Sequence, residues 1–367
     1  MLGREFKMYN NLSIIVQGAI NKFETPKCLK SLRKYLPQAE IILSTWEGSD
    51  ISKLEGLYDI LVLNKDPGTQ QFFNPKGKII YNNLNRQLLS TQEGLKKATK
   101  KYVLKLRTDL ILKDARFLEY FDKFPAKTEN YTLFKKKIIC PDLFSRYYIH
   151  VDRHNNVEKI PFHISDWWFF GLKEDIETYI KDTPLVKEPE FTTYFSLKEN
   201  QNKKSPYIGA SFKFAPEQYF GYSCFLRNFS DIRMEDASDY NDEIFEKSRE
   251  CIINNFIILE HEQSGIYLNK YSFSKNEKCL GEAYLDLYNF YRYEYEYKYF
   301  CDKDYKITSK LKFNENKEFE YAKLRLYKHI FKLTDNSLPP LKRLEQLFLG
   351  IPVSVINCAV AYSKKNF

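Results

Sequence analysis

Glycine and proline are sparse, 13 and 14 in 367 residues, and the glycine-rich phosphate signatures are missing altogether. Without GxxxxGK[ST] or GxGxxG there is neither the cradle of a P-loop NTPase nor the dinucleotide fingerprint of a dehydrogenase. No GxSxG elbow supports a serine hydrolase. No run approaches the ~18 apolar residues of a membrane span, and the first residues lead into polar sequence without an apolar signal core. The seven cysteines are odd in number, scattered and free of CxxC spacing. That pattern reads as reduced thiols in a cytoplasm, with neither a disulfide framework nor a zinc site. A long basic tract is also lacking. The formal charge of +9 is spread along the chain, so no nucleic-acid partner is expected. Anionic small molecules or an anionic membrane surface suit a diffuse excess equally well.

What remains is a soluble globular composition, 43% hydrophobic and 29% charged, long enough for a large domain with an appendage. Aromatics reach 16%, a bias of the kind an AT-rich genome produces together with abundant Lys, Asn and Ile.

The first third alternates strands with helices. Residues 11–18 read as a buried strand ending in a Gly turn. Thr25 and Pro26 open a helix with Leu29, Leu32 and Leu36 on its apolar stripe. Residues 40–45 and 59–63 are the next strands, and 82–98 a helix with Leu84, Leu88, Leu95 and Ala98 on one face. Residues 101–112 form a further strand. This βαβ pattern predicts an α/β fold with a mixed, mainly parallel sheet flanked by helices and a mostly helical C-terminal extension. Beyond residue 112 the alternation fades, with a strand at 134–140, helices opening at 173 and 215, and a mobile excursion expected over 184–205. A boundary near 235 separates a main domain, 1–235, from an accessory region, 236–367. There, 243–251, 284–300 and 318–333 read as helical, although 291–300 also alternates like a strand. The segment 341–365 suits an amphipathic membrane anchor or an ordinary packed helix.

Ligands of such sheets sit beyond the carboxyl ends of the strands, and the polar residues gather there: Gln17 and Gly18, Thr45, Trp46 and Glu47, Lys65, and Arg107 with Asp109. Strand alternation puts Lys105, Arg107 and Asp109 on one face. They read either as an internal ion pair or as a site for an anionic, metal-bound ligand. In the second reading Asp109 holds Mg²⁺ or Mn²⁺, while Lys105 and Arg107 neutralise a diphosphate. Asn85 and Arg86 at a helix start add donors, whereas Asn82 and Asn83 read as caps. Glu47 is placed to accept ribose hydroxyls and Trp46 to stack on a base; the competing reading is a plain surface turn. Asp166, among His163, Trp167, Trp168, Phe169 and Phe170, has the apolar surroundings of a general base. The aromatics suit a sugar-binding platform, or for at least two of them the core. Glu217 is the second candidate base, against its reading as an ordinary helix N-terminal Glu. His261 reads as a lone structural His more readily than as a metal ligand.

Seven blocks occur in one order: 13–18 (SIIVQG), 41–48 (IILSTWEG), 63–68 (LNKDPG), 82–87 (NNLNRQ), 105–110 (KLRTDL), 165–171 (SDWWFFG) and 216–219 (PEQY). Together they resemble the WavE family of bacterial lipopolysaccharide and capsule biosynthesis over about residues 11–235. The resemblance implies a GT-A-like, Rossmann-type glycosyltransferase, cytoplasmic and at most peripheral on the inner face of the membrane. It would use a nucleotide-sugar donor and a glycan or lipid-linked glycan acceptor. With the residues already singled out, this places donor contacts at Gln17, Gly18, Thr45, Trp46, Glu47, Lys65, Asn85, Arg86, Lys105 and Arg107, and acceptor contacts at His163, Trp167 and Trp168. Asp166 or Glu217 would act as base, with Mn²⁺ or Mg²⁺ on Asp109. The chain departs from the Asp-x-Asp metal motif, carrying Arg107 where the first Asp belongs, so the guanidinium either assists a metal or replaces it. A phosphotransferase of surface glycans and a non-catalytic glycan-binding protein are the alternatives.

Overall fold

Leu12–Gln17 (β1) is buried at every position, as a strand covered on both faces must be. Burial of each of Ile14, Ile15 and Val16 contributes about 1.5–3 kcal/mol, and all three are at 0% exposure. The computed structural model describes residues 10–73, 79–150, 157–207, 209–268 and 287–309. Within them, β1 leads to a helix, α1 (Glu24–Tyr35), then to β2 (Glu40–Trp46) and β3 (Ile60–Asn64). The hairpin β4 (Gln70–Phe73) and β5 (Ile79–Asn82) precedes α2 (Leu84–Lys97), β6 (Tyr102–Arg107) and β7 (Leu110–Leu112). Then come β8 (Ile138–Pro141), β9 (Tyr148–His150), β10 (Val157–Lys159), β11 (Trp168–Leu172), α3 (Lys173–Ile180) and α4 (Pro216–Asn228). The described chain closes with α5 (Asp242–Asn255), β12 (Phe256–Leu259), α6 (His261–Ser264), β13 (Ile266–Leu268) and α7 (Phe290–Phe300).

Seven strands share one sheet in the order β12-β8-β11-β6-β1-β2-β3. All run parallel except β11, which is antiparallel to both β6 and β8. The fold is therefore α/β, with the mixed, mainly parallel sheet the sequence implied. Helix α2 lies close on this sheet because Gly94 permits it: a Cβ there would fall 2.5 Å from Ile15 Cγ2.

Several local expectations are revised. The strand foreseen over 101–112 ends at Arg107. Thr108 turns the chain by donating its N–H to the Gln17 carbonyl (3.1 Å) and its hydroxyl to the Ala19 carbonyl (2.8 Å). After that turn β7 leaves the sheet to pair with β13. Helix α1 is capped by Asn21, whose side chain accepts from the Phe23 and Glu24 amides (2.9 and 3.0 Å); Thr25 instead accepts from the Asn21 amide. Residues 184–205, foreseen as an excursion, are exposed at many positions but anchored by the buried Val186, Phe191, Thr192, Tyr194 and Asn200. Thr192 is fully buried, and Asn82 Nδ2 donates to its hydroxyl at 2.9 Å. The sheet also runs past the boundary at 235, since β12 pairs with β8. Residues 290–300 are helical: Asn289 caps α7 through the Arg292 amide, and Phe290, Tyr293 and Tyr297 stack along one buried face. The segments 318–333 and 341–365 lie outside the described residues.

Candidate active site

The carboxyl end of β6 lies beside that of β1, with Arg107 in register with Gln17. β11 runs the other way, and its first residue, Trp168, pairs with Leu106. Asp166 and Trp167 therefore arrive at the same rim from the opposite direction. This crossing of one antiparallel strand brings residues 107–109 and 166–167 together.

At the rim Arg107 grips Asp109 with two hydrogen bonds, Nε to Oδ1 at 3.0 Å and Nη2 to Oδ2 at 2.7 Å. The guanidinium also lies over the Trp167 ring, 4.8 Å from its centroid. Phe144 packs against the same ring at 5.3 Å and carries the Arg146 guanidinium at 5.2 Å on its own face. Phe144 and Phe162 hold positive φ angles of 66° and 60°. Bulky residues adopt that region at a cost on the order of 1–3 kcal/mol, a strain that clusters at functional sites.

Asp166 is 3% exposed. Its backbone carbonyl accepts from the Lys105 ammonium and from Gln87 Nε2 (2.8 Å). Burial raises its carboxyl pKa, while Lys105, Arg107 and the Gln87 side chain favour the ion. Glu217, in the first turn of α4 and partly exposed, is pushed up to about 8 by burial and then by the charge of Asp166. Two neighbouring carboxyls that repel in this way hold one proton between them. Arg107 favours the ion of both groups and Arg146 that of Glu217, whereas Lys105 and the Gln87 hydrogen bond act on Asp166, which leaves the proton with Glu217. α4 can approach this closely because residue 221 is Gly: a Cβ would lie 2.5 Å from the Phe162 carbonyl oxygen. The Ile164 amide also donates to the Glu217 carbonyl (3.4 Å).

The remaining sequence candidates are placed as follows. Gln17 is buried and accepts from the Ser90 hydroxyl at 2.7 Å. Gly18 turns the chain with φ 118°. Thr45 is buried against Ser49, Trp46 is 8% exposed, and Glu47 and Lys65 are exposed. Arg86 pairs with Asp66 at 2.6 Å. Asn85 is occupied structurally, bonding the Val186 backbone in both directions (2.9 and 2.8 Å). Lys105 is at 0% exposure, with its pKa lowered by burial to about 7; it supports the Asp166 backbone from below the rim. Trp168 at 2%, and Phe169 and Phe170 at 0%, belong to the core. Trp167 and His163 border the site but are 7% and 3% exposed. His163 Nδ1 donates to the Phe144 carbonyl at 2.7 Å, and burial followed by the Arg146 charge keeps the ring neutral. His261 opens the short helix α6, and burial lowers its pKa. A pocket of about 290 Å³, including open space, lies between Trp167 and β13, lined also by Leu143, Trp168 and Ser264.

Sequence reasoning missed Arg146 and Gln87. Arg146 had a signal, a lone cation in the mostly apolar and aromatic run 143–148 (LFSRYY). Gln87 had none beyond its place one turn into α2.

One comparison bears on the order of the sequence blocks. The family model described as WavE lipopolysaccharide synthesis matches residues 12–328. The chain belongs to the WavE family. No curated protein is similar enough to this WavE-family chain to be matched. Among solved structures, S. aureus TarS residues 1–349 are similar at 14% identity, covering 86% of this chain and 80% of that one, with a TM-score of 0.33. The same TarS fragment in complex with UDP-GlcNAc is similar at 14% identity, covering 86% and 81%, with a TM-score of 0.30. The 4-diphosphocytidyl-2C-methyl-D-erythritol synthase of Anaerococcus prevotii matches at 15% identity over 59% of this chain and 98% of that one, TM-score 0.29.

The metal expected on Asp109 meets a donor set that does not suit it. Both carboxylate oxygens are already bound by Arg107. Among the described residues no group of three His, Cys, Asp or Glu side chains could hold an ion. Among them, too, no helix is long and apolar enough to cross a membrane.

Proposed function

We propose that this WavE-family chain is a glycosyltransferase that moves a sugar from a nucleotide-sugar donor to a hydroxyl of a bacterial surface glycan. The observation that carries the reading is the rim cluster itself. A guanidinium braced by Asp109 and Trp167 stands beside a buried carboxyl whose pKa is raised by burial, against the opposing pull of Lys105, Arg107 and Gln87. Transfer needs both parts: a cation where the diphosphate leaves, and a base where the acceptor hydroxyl loses its proton.

In this reading Asp166 takes the proton of the acceptor hydroxyl as its oxygen attacks the anomeric carbon. The bond from that carbon to the phosphate oxygen breaks, its electron pair stays on the phosphate, and Arg107 neutralises the new charge. Lys105 and Gln87 fix the Asp166 backbone, and Glu217 supplies a protonated carboxyl beside it. The β1–β2–β3 rim, with Gln17, Gly18, Thr45, Trp46, Glu47 and Lys65, receives the nucleoside. The acceptor lies toward Trp167 and His163. No step of this reading is routed through a metal ion.

The experiment is a hydrolysis and transfer screen across common nucleotide sugars, run with and without Mn²⁺, alongside calorimetry of the matching nucleoside diphosphates. The reading predicts hydrolysis of at least one donor and binding of its diphosphate. A protein that binds no nucleoside diphosphate under either condition refutes it.

A further inference from the structure

Arg146 is a buried cation that the transfer reading does not use. It is 6% exposed, and its Nε has no hydrogen-bond partner. Among the described residues no carboxylate forms an ion pair with it, and the contact of its guanidinium is with the Phe144 ring at 5.2 Å. Its backbone is fixed on both sides, by the His163 carbonyl (3.1 Å) and by a bridge to Leu287. A charge held this far from water costs several kcal/mol unless an anion or a hydrogen-bond network compensates it. Among the described titratable neighbours, Glu217 interacts attractively with it, and burial raises that carboxyl pKa to about 8 all the same. His163 is neutral, Tyr207 is held in its phenol form by burial, and Glu217 carries the proton of its carboxyl pair.

Position in the sheet separates Arg146 from the leaving-group cation. Arg107 ends β6 on the side of β1, β2 and β3, whereas Arg146 follows β8 on the other side of β11. Asp166, just before β11, stands between the two halves. A donor spread over the β1–β2–β3 rim with its phosphates at Arg107 leaves the β8 side of the base to the attacking molecule.

We propose that Arg146 binds an anionic group, a phosphate or a carboxylate, carried by the acceptor. The planar fork of a guanidinium suits either oxyanion. Only the assignment to the acceptor rests on the transferase reading; the anion site stands on a buried guanidinium whose Nε has no hydrogen-bond partner and which forms no ion pair among the described residues.

Calorimetric titration of the full chain with inorganic phosphate tests the site without any donor. Wild type and Arg107→Met are expected to bind phosphate, and Arg146→Met to bind it roughly tenfold to hundredfold more weakly, the loss of a charge-assisted contact. Arg146→Lys keeps the charge without the fork and should fall between them; it also serves if the Met variant folds poorly. Phosphate should raise the melting temperature of Arg107→Met but not of the variant that also carries Arg146→Met. A merely structural Arg146 would lower the melting temperature and leave the phosphate isotherm unchanged, which overturns the proposal. With the donor found by the hydrolysis screen, Arg146→Met should raise KM for the acceptor and leave donor hydrolysis intact. A rise confined to the donor KM would place the anion on the nucleotide and overturn the acceptor assignment. If no donor is hydrolysed, the transferase reading fails while the phosphate isotherm still reports on Arg146.

Discussion

Replacing Glu217 by Gln separates the electrostatics of the carboxyl pair from any assay of activity. Glu217 moves from 4.5 when unfolded to about 8 in the fold, driven by burial and then by Asp166. A raised carboxyl pKa means that the folded state binds the proton more tightly. Its contribution to stability is therefore complete below pH ~4.5, shrinks as pH rises through the window, and is lost above about 8. At about 1.4 kcal/mol per pH unit of separation, the ceiling is about 5 kcal/mol. Glu217 keeps some contact with water, and relaxation around the carboxylate absorbs part of this, so about 2–3 kcal/mol is expected. Gln mimics the protonated acid in shape and polarity. Urea unfolding of wild type and Glu217→Gln should thus give nearly equal stabilities at pH 4, with the variant about 2–3 kcal/mol more stable at pH 8.5. Parallel pH profiles, or a variant weaker at both pH values, would refute the assignment of the proton to Glu217.

Other consequences follow from the same geometry. Asp166→Asn should abolish transfer while nucleoside diphosphate binding by calorimetry stays near wild type; normal turnover would remove Asp166 as the base. Arg107→Met should weaken diphosphate binding roughly tenfold or more, from loss of a charge-assisted contact, and free Asp109 from its partner; unchanged affinity would place the diphosphate elsewhere. Gly221→Ala puts a Cβ 2.5 Å from a backbone oxygen that cannot rotate away, so overpacking should cost about 1–3 kcal/mol in denaturant unfolding. Asn85→Ala breaks both bonds to the Val186 backbone and should accelerate proteolysis within 184–205, with little change in the unfolding midpoint of the sheet.

The order of blocks, the strands at 12–17, 40–46 and 60–64 and the rim at their carboxyl ends were all legible in the sequence. They rest on local pattern: apolar runs, the Gly18 turn and the period of α2. Asp166 could be singled out because a carboxylate in an aromatic stretch is chemically conspicuous. Which cations and carboxylates meet was decided by contacts distant in sequence. Lys105 alternates with Arg107 and looks equivalent to it, yet it is sealed beneath the Asp166 backbone, because β11 crosses antiparallel to β6 and covers it. Trp168 looks like a ligand platform beside Trp167, but strand alternation turns it into the core. Arg146 gave only a faint signal, since a lone cation in an aromatic run becomes unusual only when no anion packs against it. The α/β layering and the rim follow from local pattern, because periodicity and turn residues act within a few positions. The tertiary structure alone decided the partners of Arg107, Asp109 and Glu217, because burial and charge pairing depend on which strands lie side by side.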